Sequence, residues 1–160
     1  MKNSLFFVIL MASILLSACQ MPNPVPSDAQ KAEIEKQIIE QWGKLGHTVK
    51  TADAEGFTSF FSSDKFLAMY SEGTQFLSLK EYSDSVKVWF SVRKGTELQQ
   101  QKVKVSILSE DMALLDQKSI FQVNLKDNKV IRCNHAVTFI FRKESSGWKI
   151  IHGHESWTGM

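Results

Sequence analysis

The chain has 160 residues, 43% of them hydrophobic, and a formal net charge of +2. That length fits one domain with a real core behind a targeting segment. The near balance of charge excludes the basic footprint of a nucleic-acid binder.

The first segment, "MKNSLFFVILMASILLSACQ", sets Lys2 before an apolar run from Leu5 to Leu16, then Ser17, Ala18 and Cys19. A charged start, an apolar centre and small residues at the end make a secretory signal. The run is shorter than the roughly 20 residues a transmembrane helix needs. "LSAC" resembles the bacterial lipobox, whose Cys is acylated and becomes the first residue of the mature chain. The resemblance implies lipidation of Cys19 and loss of residues 1–18. Anchoring is then by more than one acyl chain, each buried methylene contributing about 0.8 kcal/mol. Resemblance to Gram-negative lipoproteins, whose inner-membrane retention signal is Asp at the position of Gln20, implies outer-membrane sorting, on the periplasmic side if the source is Gram-negative. Lys2 leaves with the signal, so 19 − 1 = 18 basic residues face 17 acidic ones, a formal +1. All three prolines fall in "QMPNPVPSD", so residues 19–27 read as an extended tether and residues 28–160 as one domain. Cys133 is then without an intramolecular partner and is expected as a buried free thiol, with an intermolecular disulfide as the alternative.

Residues 28–50 carry Ile34, Ile38, Trp42, Leu45 and Val49 at spacings of three and four, one stripe of an amphipathic helix capped by Ser27 or Asp28. His47 is expected to face solvent near its C-terminal end. Asp53 caps a second, short helix, "AEGFTSFF", with Phe57, Phe60 and Phe61 on one face. "KFLAMYSEG" reads as a strand and turn, and "TQFLSL" as a brief extended piece. "SLKEYSDSVKVWFSVRKG" reads as a third helix with Ser78 and Glu81 as capping box. Tyr82, Val86 and Trp89 face inward on it, and Gly95 ends it. The period then becomes two. "QKVKVSIL", "ALLDQKSIFQVNL", "KVIRCNHAVTFIFRK" and "GWKIIHGHESW" form four long antiparallel strands joined by short polar turns.

Helices first and strands after predict an α+β fold, helices covering one face of a curved sheet. Three stretches, in this order, resemble the nuclear transport factor 2-like, or SnoaL-like, superfamily: "TADAEGFTSFFSSD", "SEGTQFLSLKEYSDSVKVWF" and "VTFIFRKESSGWKIIHGHES". The resemblance implies a cone, a bent antiparallel sheet wrapped around the first helix with a pocket at its open end. The superfamily includes isomerases, dehydratases and cyclases, and also non-catalytic binding and assembly domains, so the site must come from the residues.

With "ESSG" as the last hairpin loop, Lys143 faces Trp148. Strict alternation from there puts Cys133, His135, Val137, Phe139 and Phe141 on one face with Trp148, Ile150, His152, His154 and Ser156. That mostly apolar face is expected to be concave. Ser156 then sits opposite His135, and His154 is its diagonal neighbour. Glu155 points the other way. Tyr70, Trp89, Gln99 and Gln101 join His135, Phe139, His152, His154 and Ser156 as expected pocket lining. Ile140, Ile151 and Trp157 fall on the outer face, where they would support a homodimer.

Several readings stay open. His152, His154 and His135 on one wall are compatible with a zinc site, yet no carboxylate supports them, and no metal or other cofactor is expected. His154 with Ser156 would serve an acid/base enzyme. Of Asp53, Asp64, Glu72, Asp84 and Asp116, however, none is placed inside. The preferred reading is a pocket for a small apolar or amphipathic ligand, or a partner, with these polar groups satisfied locally. A dimerising assembly module is the third. An inward carboxylate within hydrogen-bond reach of His154 would favour the enzyme.

Overall fold

The computed structural model describes residues 25–159. The signal, Cys19 and most of the proposed tether lie outside the described residues. Helix α1 (Asp28–Thr51) begins at Ser27 with a full capping box: its hydroxyl accepts from Gln30 N–H and the Gln30 amide oxygen accepts from Ser27 N–H. The five-residue stripe is buried along its whole length. At the far end Ala52 adopts the left-handed conformation and its N–H closes on the Thr48 and Val49 carbonyls. His47 is exposed there.

Helix α2 (Ala54–Thr58) is capped by Asp53, whose carboxylate accepts from Gly56 N–H at 2.9 Å. Phe57 and Phe61 behind it pack with Tyr82 and Phe90 at centroid distances of 5.1–6.3 Å. Strands β1 (Ala68–Ser71) and β2 (Thr74–Phe76) form a tight hairpin. Its turn residues, Glu72 and Gly73, both have positive φ, as the twist of such a hairpin demands. Helix α3 (Leu79–Ser91) is capped by Ser78, but Glu81 reaches back to Leu77 N–H rather than to Ser78. It buries Tyr82, Val86 and Phe90 and leaves Trp89 40% exposed.

The long strands are β3 (Arg93–Ile107), β4 (Met112–Leu125), β5 (Val130–Glu144) and β6 (Gly147–Gly159). The sheet has six strands in the order β2-β1-β6-β5-β4-β3. It is mixed rather than a pure meander, because β1 runs parallel to β6. Its concave side closes on α1, where Phe139 meets Trp42 at 5.9 Å between ring centroids. Gly95 does not end the third helix. It lies inside β3, where a Cβ would stand 2.6 Å from the Lys50 carbonyl oxygen, so β3 needs a glycine to pass the end of α1.

Three register shifts overturn the strict alternation, the first between Arg93, opposite Leu125, and Gly95, opposite Asn124. In β3 the pairing steps from Gln99 opposite Ile120 to Lys102 opposite Lys118, and Gln100 takes φ 49°. One residue is extra, so Thr96 and Leu98 share the concave face with Val103, Val105 and Ile107. In β6, Lys143 does face Trp148 and Phe141 faces Ile150, but Ile140 then faces His152. Ile151 is the added residue, and it is buried beside Ile150. A segment that is not a strand fixes it. Ile150 N–H donates to Phe60 O, its carbonyl accepts from Ser62 N–H, and the Ile151 carbonyl accepts from Leu67 N–H at 2.7 Å. Beyond this point every side chain of β6 has changed sides, as a one-residue slip requires.

Candidate functional site

Past the bulge the concave side of β6 is Gly153, Glu155 and Trp157. His152, His154 and Ser156 lie on the convex side, opposite Ile140, Thr138 and Ala136. His154 and Ser156 are exposed, and the rings of His152 and His154 meet Tyr70, at 5.8 and 6.3 Å between centroids. The three imidazoles therefore do not share a wall, and the expected concave placement of His152, His154 and Ser156 is corrected. Tyr70 joins them outside and bonds Gln75. Gln99 faces the convex side and Gln101 sits exposed in the β3 bulge, so neither continues the Val103–Val105 face. The outer-face expectation fails in the same way: Trp157 is inside, Ile151 is buried, and Ile140 alone of the three stays on the convex face.

Between α1, α3 and the sheet lies a cavity of about 80 Å³. Trp42, Leu45 and Val49 of α1 form its floor, with Val86, Trp89 and Phe90 of α3 along one side. Phe121, Val137, Phe139 and Trp157 supply the sheet wall. Trp89, His135 and Phe139 line it. Arg93, His135 and Glu155 project into this largely apolar space, and the Tyr82 phenol also lines it.

His135 is 4% exposed. Its ring lies against Phe121 and Trp157, at 4.1 and 4.6 Å between centroids. Glu155 stands opposite Val137 and so is diagonal to His135 on the same face. Its Oε2 lies 3.4 Å from His135 Nε2. A carboxylate only accepts, so the contact requires the proton on Nε2; in the neutral ring that leaves Nδ1 with its lone pair. Among the described residues that Nδ1 has no partner. Glu155 therefore occupies the diagonal position that uninterrupted alternation gives to His154.

Arg93 is the first residue of β3 and is 3% exposed. Its guanidinium carbon stacks 4.3 Å from the Trp89 ring centroid and 4.9 Å from that of Phe90. Desolvation pulls its pKa down to about 10, partly opposed by the Glu155 charge, so it remains a cation at neutral pH. Burial, and then the Glu155 charge, hold the Tyr82 phenol far above its ordinary value. The Cys133 thiol is free and buried, and its pKa is raised for the same desolvation reason.

The other acids are engaged elsewhere. Asp116 accepts from the Thr138 hydroxyl on the convex face, Asp84 pairs with Lys80, and Glu72 accepts from Trp157 N–H at the rim. Sequence reasoning missed Arg93, Glu155 and Trp157. One signal for the last two was present in "KIIHGHE": two adjacent apolar residues, Ile150 and Ile151, break the period of two. Taking Ile151 as an insertion turns Gly153, Glu155 and Trp157 inward.

The chain belongs to the SnoaL-like domain family. Residues 36–160 match that family. No curated protein sequence matches the chain. Among solved structures, this SnoaL-like domain is similar to a proposed dehydratase of the NTF2-like family from Streptomyces avermitilis, at 15% identity and TM-score 0.70, covering 81% of this chain and 98% of that one. It is also similar to a hexachlorocyclohexane dehydrochlorinase (LinA) type 2, at 15% identity and TM-score 0.68, covering 84% and 93%. A third is an NTF2-like superfamily protein from Salmonella enterica, at 12% identity and TM-score 0.71, covering 81% and 94%. At these identities the likeness establishes the fold.

Proposed function

We propose that the cone interior binds a small molecule that is largely apolar with one polar end. The observation that carries this is the cavity itself, walled mostly by aromatic and aliphatic side chains, with Arg93, His135, Glu155 and the Tyr82 phenol as its charged or titratable groups. Small-molecule sites have this composition, apolar area for affinity and a few polar groups for orientation. The test is a two-dimensional amide NMR titration of the domain with small aromatic and aliphatic compounds. The reading expects shift changes concentrated at Trp89, Arg93, His135, Glu155 and Trp157. Changes confined to the convex-face residues Tyr70, His152 and His154 would count against it.

The His135–Glu155 contact favours a second reading, proton transfer on the bound molecule. A carboxylate that orients an imidazole, with the other ring nitrogen unpartnered, is the arrangement general-base catalysis uses. Some structural neighbours are described as dehydratases or as a dehydrochlorinase. Such a site would exchange a carbon-bound proton of its substrate with solvent deuterium. Exchange that Glu155→Gln leaves intact would refute the pair's role.

We propose, too, that the mature protein is lipid-anchored at Cys19 and faces the envelope. "LSAC" and the Pro-rich segment after it support this. Labelled palmitate should enter the wild-type chain and not Cys19→Ser; equal labelling would rule it out.

A further inference from the structure

Arg93 is a cation in an apolar wall without an anion of its own. Among the described residues no carboxylate lies within the 4.0 Å of an ion pair. Its one hydrogen bond, from Nη1 to Thr96 Oγ1, is 3.5 Å long, and Nε has no partner. Glu155, the acid in the same cavity, is turned to His135. Buried guanidinium groups are normally paired, because removing the charge from water is costly unless another charge or a set of hydrogen bonds replaces the solvent. Here the replacement is incomplete. The guanidinium carbon lies over the Trp89 and Phe90 rings, contacts that supply no acceptor, whereas an anion is met by the N–H groups. The backbone makes this deliberate in geometry: α3 stops at Ser91 and β3 starts at Arg93, so the side chain turns back under the last turn of the helix and into the cone.

We infer that Arg93 is the anchor for a carboxylate on the pocket's ligand, which makes the ligand class small aromatic or other flat apolar carboxylic acids. The inference rests on the pocket reading above and adds the chemistry of the polar end. Trp157 touches both sides of the site, 5.9 Å from the Arg93 guanidinium and 4.6 Å from the His135 ring. A flat acid held by Arg93 therefore presents its body along Trp157 towards His135 and Glu155. The like charge on Glu155 keeps the carboxylate at the Arg93 end, so binding has one direction.

The test uses matched probes on the full chain in lipid nanodiscs: benzoate against benzamide, and phenylacetate against phenylacetamide, by calorimetry at neutral pH. Each pair has one shape and differs in charge. The acids should bind about tenfold or more tighter than their amides, the scale of one charge-assisted contact. Arg93→Gln should remove that preference, and Arg93→Lys should not restore it fully, because the ammonium neither stacks nor forks. Equal binding of acid and amide, or a preference that survives Arg93→Gln, overturns the carboxylate assignment and leaves the pocket reading standing. Binding of neither member overturns both. The wild-type comparison needs no variant to fold.

Discussion

Gly153→Ala separates the bulged register from the uninterrupted one. In the bulged register Gly153 is concave and buried, and a Cβ there would lie 2.6 Å from Met69 Sδ and 2.6 Å from Phe139 Cδ1. Both neighbours sit in the core, at 0% and 2% exposure, so neither swings away freely. Overpacking of this kind costs about 1–3 kcal/mol. The Phe139 contact is with ring carbons of a side chain wedged between Trp42 and Phe61, which favours the upper half of that range. For a domain of this size about 2 kcal/mol corresponds to a fall in Tm of roughly 6–10 °C. Urea denaturation followed by tryptophan fluorescence reads the change. In the uninterrupted register Gly153 faces outward, and alanine would be neutral or stabilising by up to about 1 kcal/mol, since glycine weakens a strand. An unchanged or raised midpoint would refute the bulge and with it the inward placement of Glu155.

Arg93→Met should leave stability unchanged or raise it. Lowering the guanidinium pKa by burial to about 10 corresponds to a cost of about 3 kcal/mol for the charged form, at about 1.4 kcal/mol per unit, against roughly 2 kcal/mol recovered from stacking on the rings. The sign with pH follows: a base depressed on folding leaves the unfolded chain holding more protons from about 10 up to the ordinary arginine range, so Arg93's share of stability rises across that window. The gap between variant and wild type should therefore narrow from pH 9 to pH 11; a loss above 2 kcal/mol in Arg93→Met at neutral pH would mean the guanidinium holds the fold together. Asp53→Ala should cost about 1 kcal/mol by removing the cap on Gly56 N–H, measured by the same denaturation. His152→Ala with His154→Ala should leave binding of any pocket ligand within twofold, as both rings stand on the convex face against Tyr70; a tenfold loss by calorimetry would place one of them in the pocket.

The helices and the order of the strands were legible because burial repeats along them. The α1 stripe from Ile34 to Val49 is read directly from spacing. The pairing of Lys143 with Trp148 follows from the loop. What the sequence does not display is where a strand takes an extra residue. The bulge at Ile151 is held by backbone bonds to Phe60, Ser62 and Leu67, a segment some 85 residues away with no periodic pattern. Once missed, it moves every later side chain of β6 to the wrong face, exchanging His154 for Glu155. The β3 bulge does the same to Gln99 and Gln101. Arg93 was hidden by the register shift between Arg93 and Gly95, which turns it to the side of Leu125, and for one further reason. A charge next to an aromatic helix end usually marks a solvated terminus, and its burial becomes visible only when α3 ends at Ser91 and Trp157 closes over it.

The central claim is that His135 lies beside Glu155 and Trp157 on the concave face of the sheet, and it is tested by nuclear Overhauser contacts in the labelled domain. The account predicts cross-peaks from the His135 ring to the Trp157 indole and the Phe121 ring, and from His152 and His154 to Tyr70. Cross-peaks from the His135 ring to the β-protons of His154 and Ser156, with none to Trp157, would contradict it.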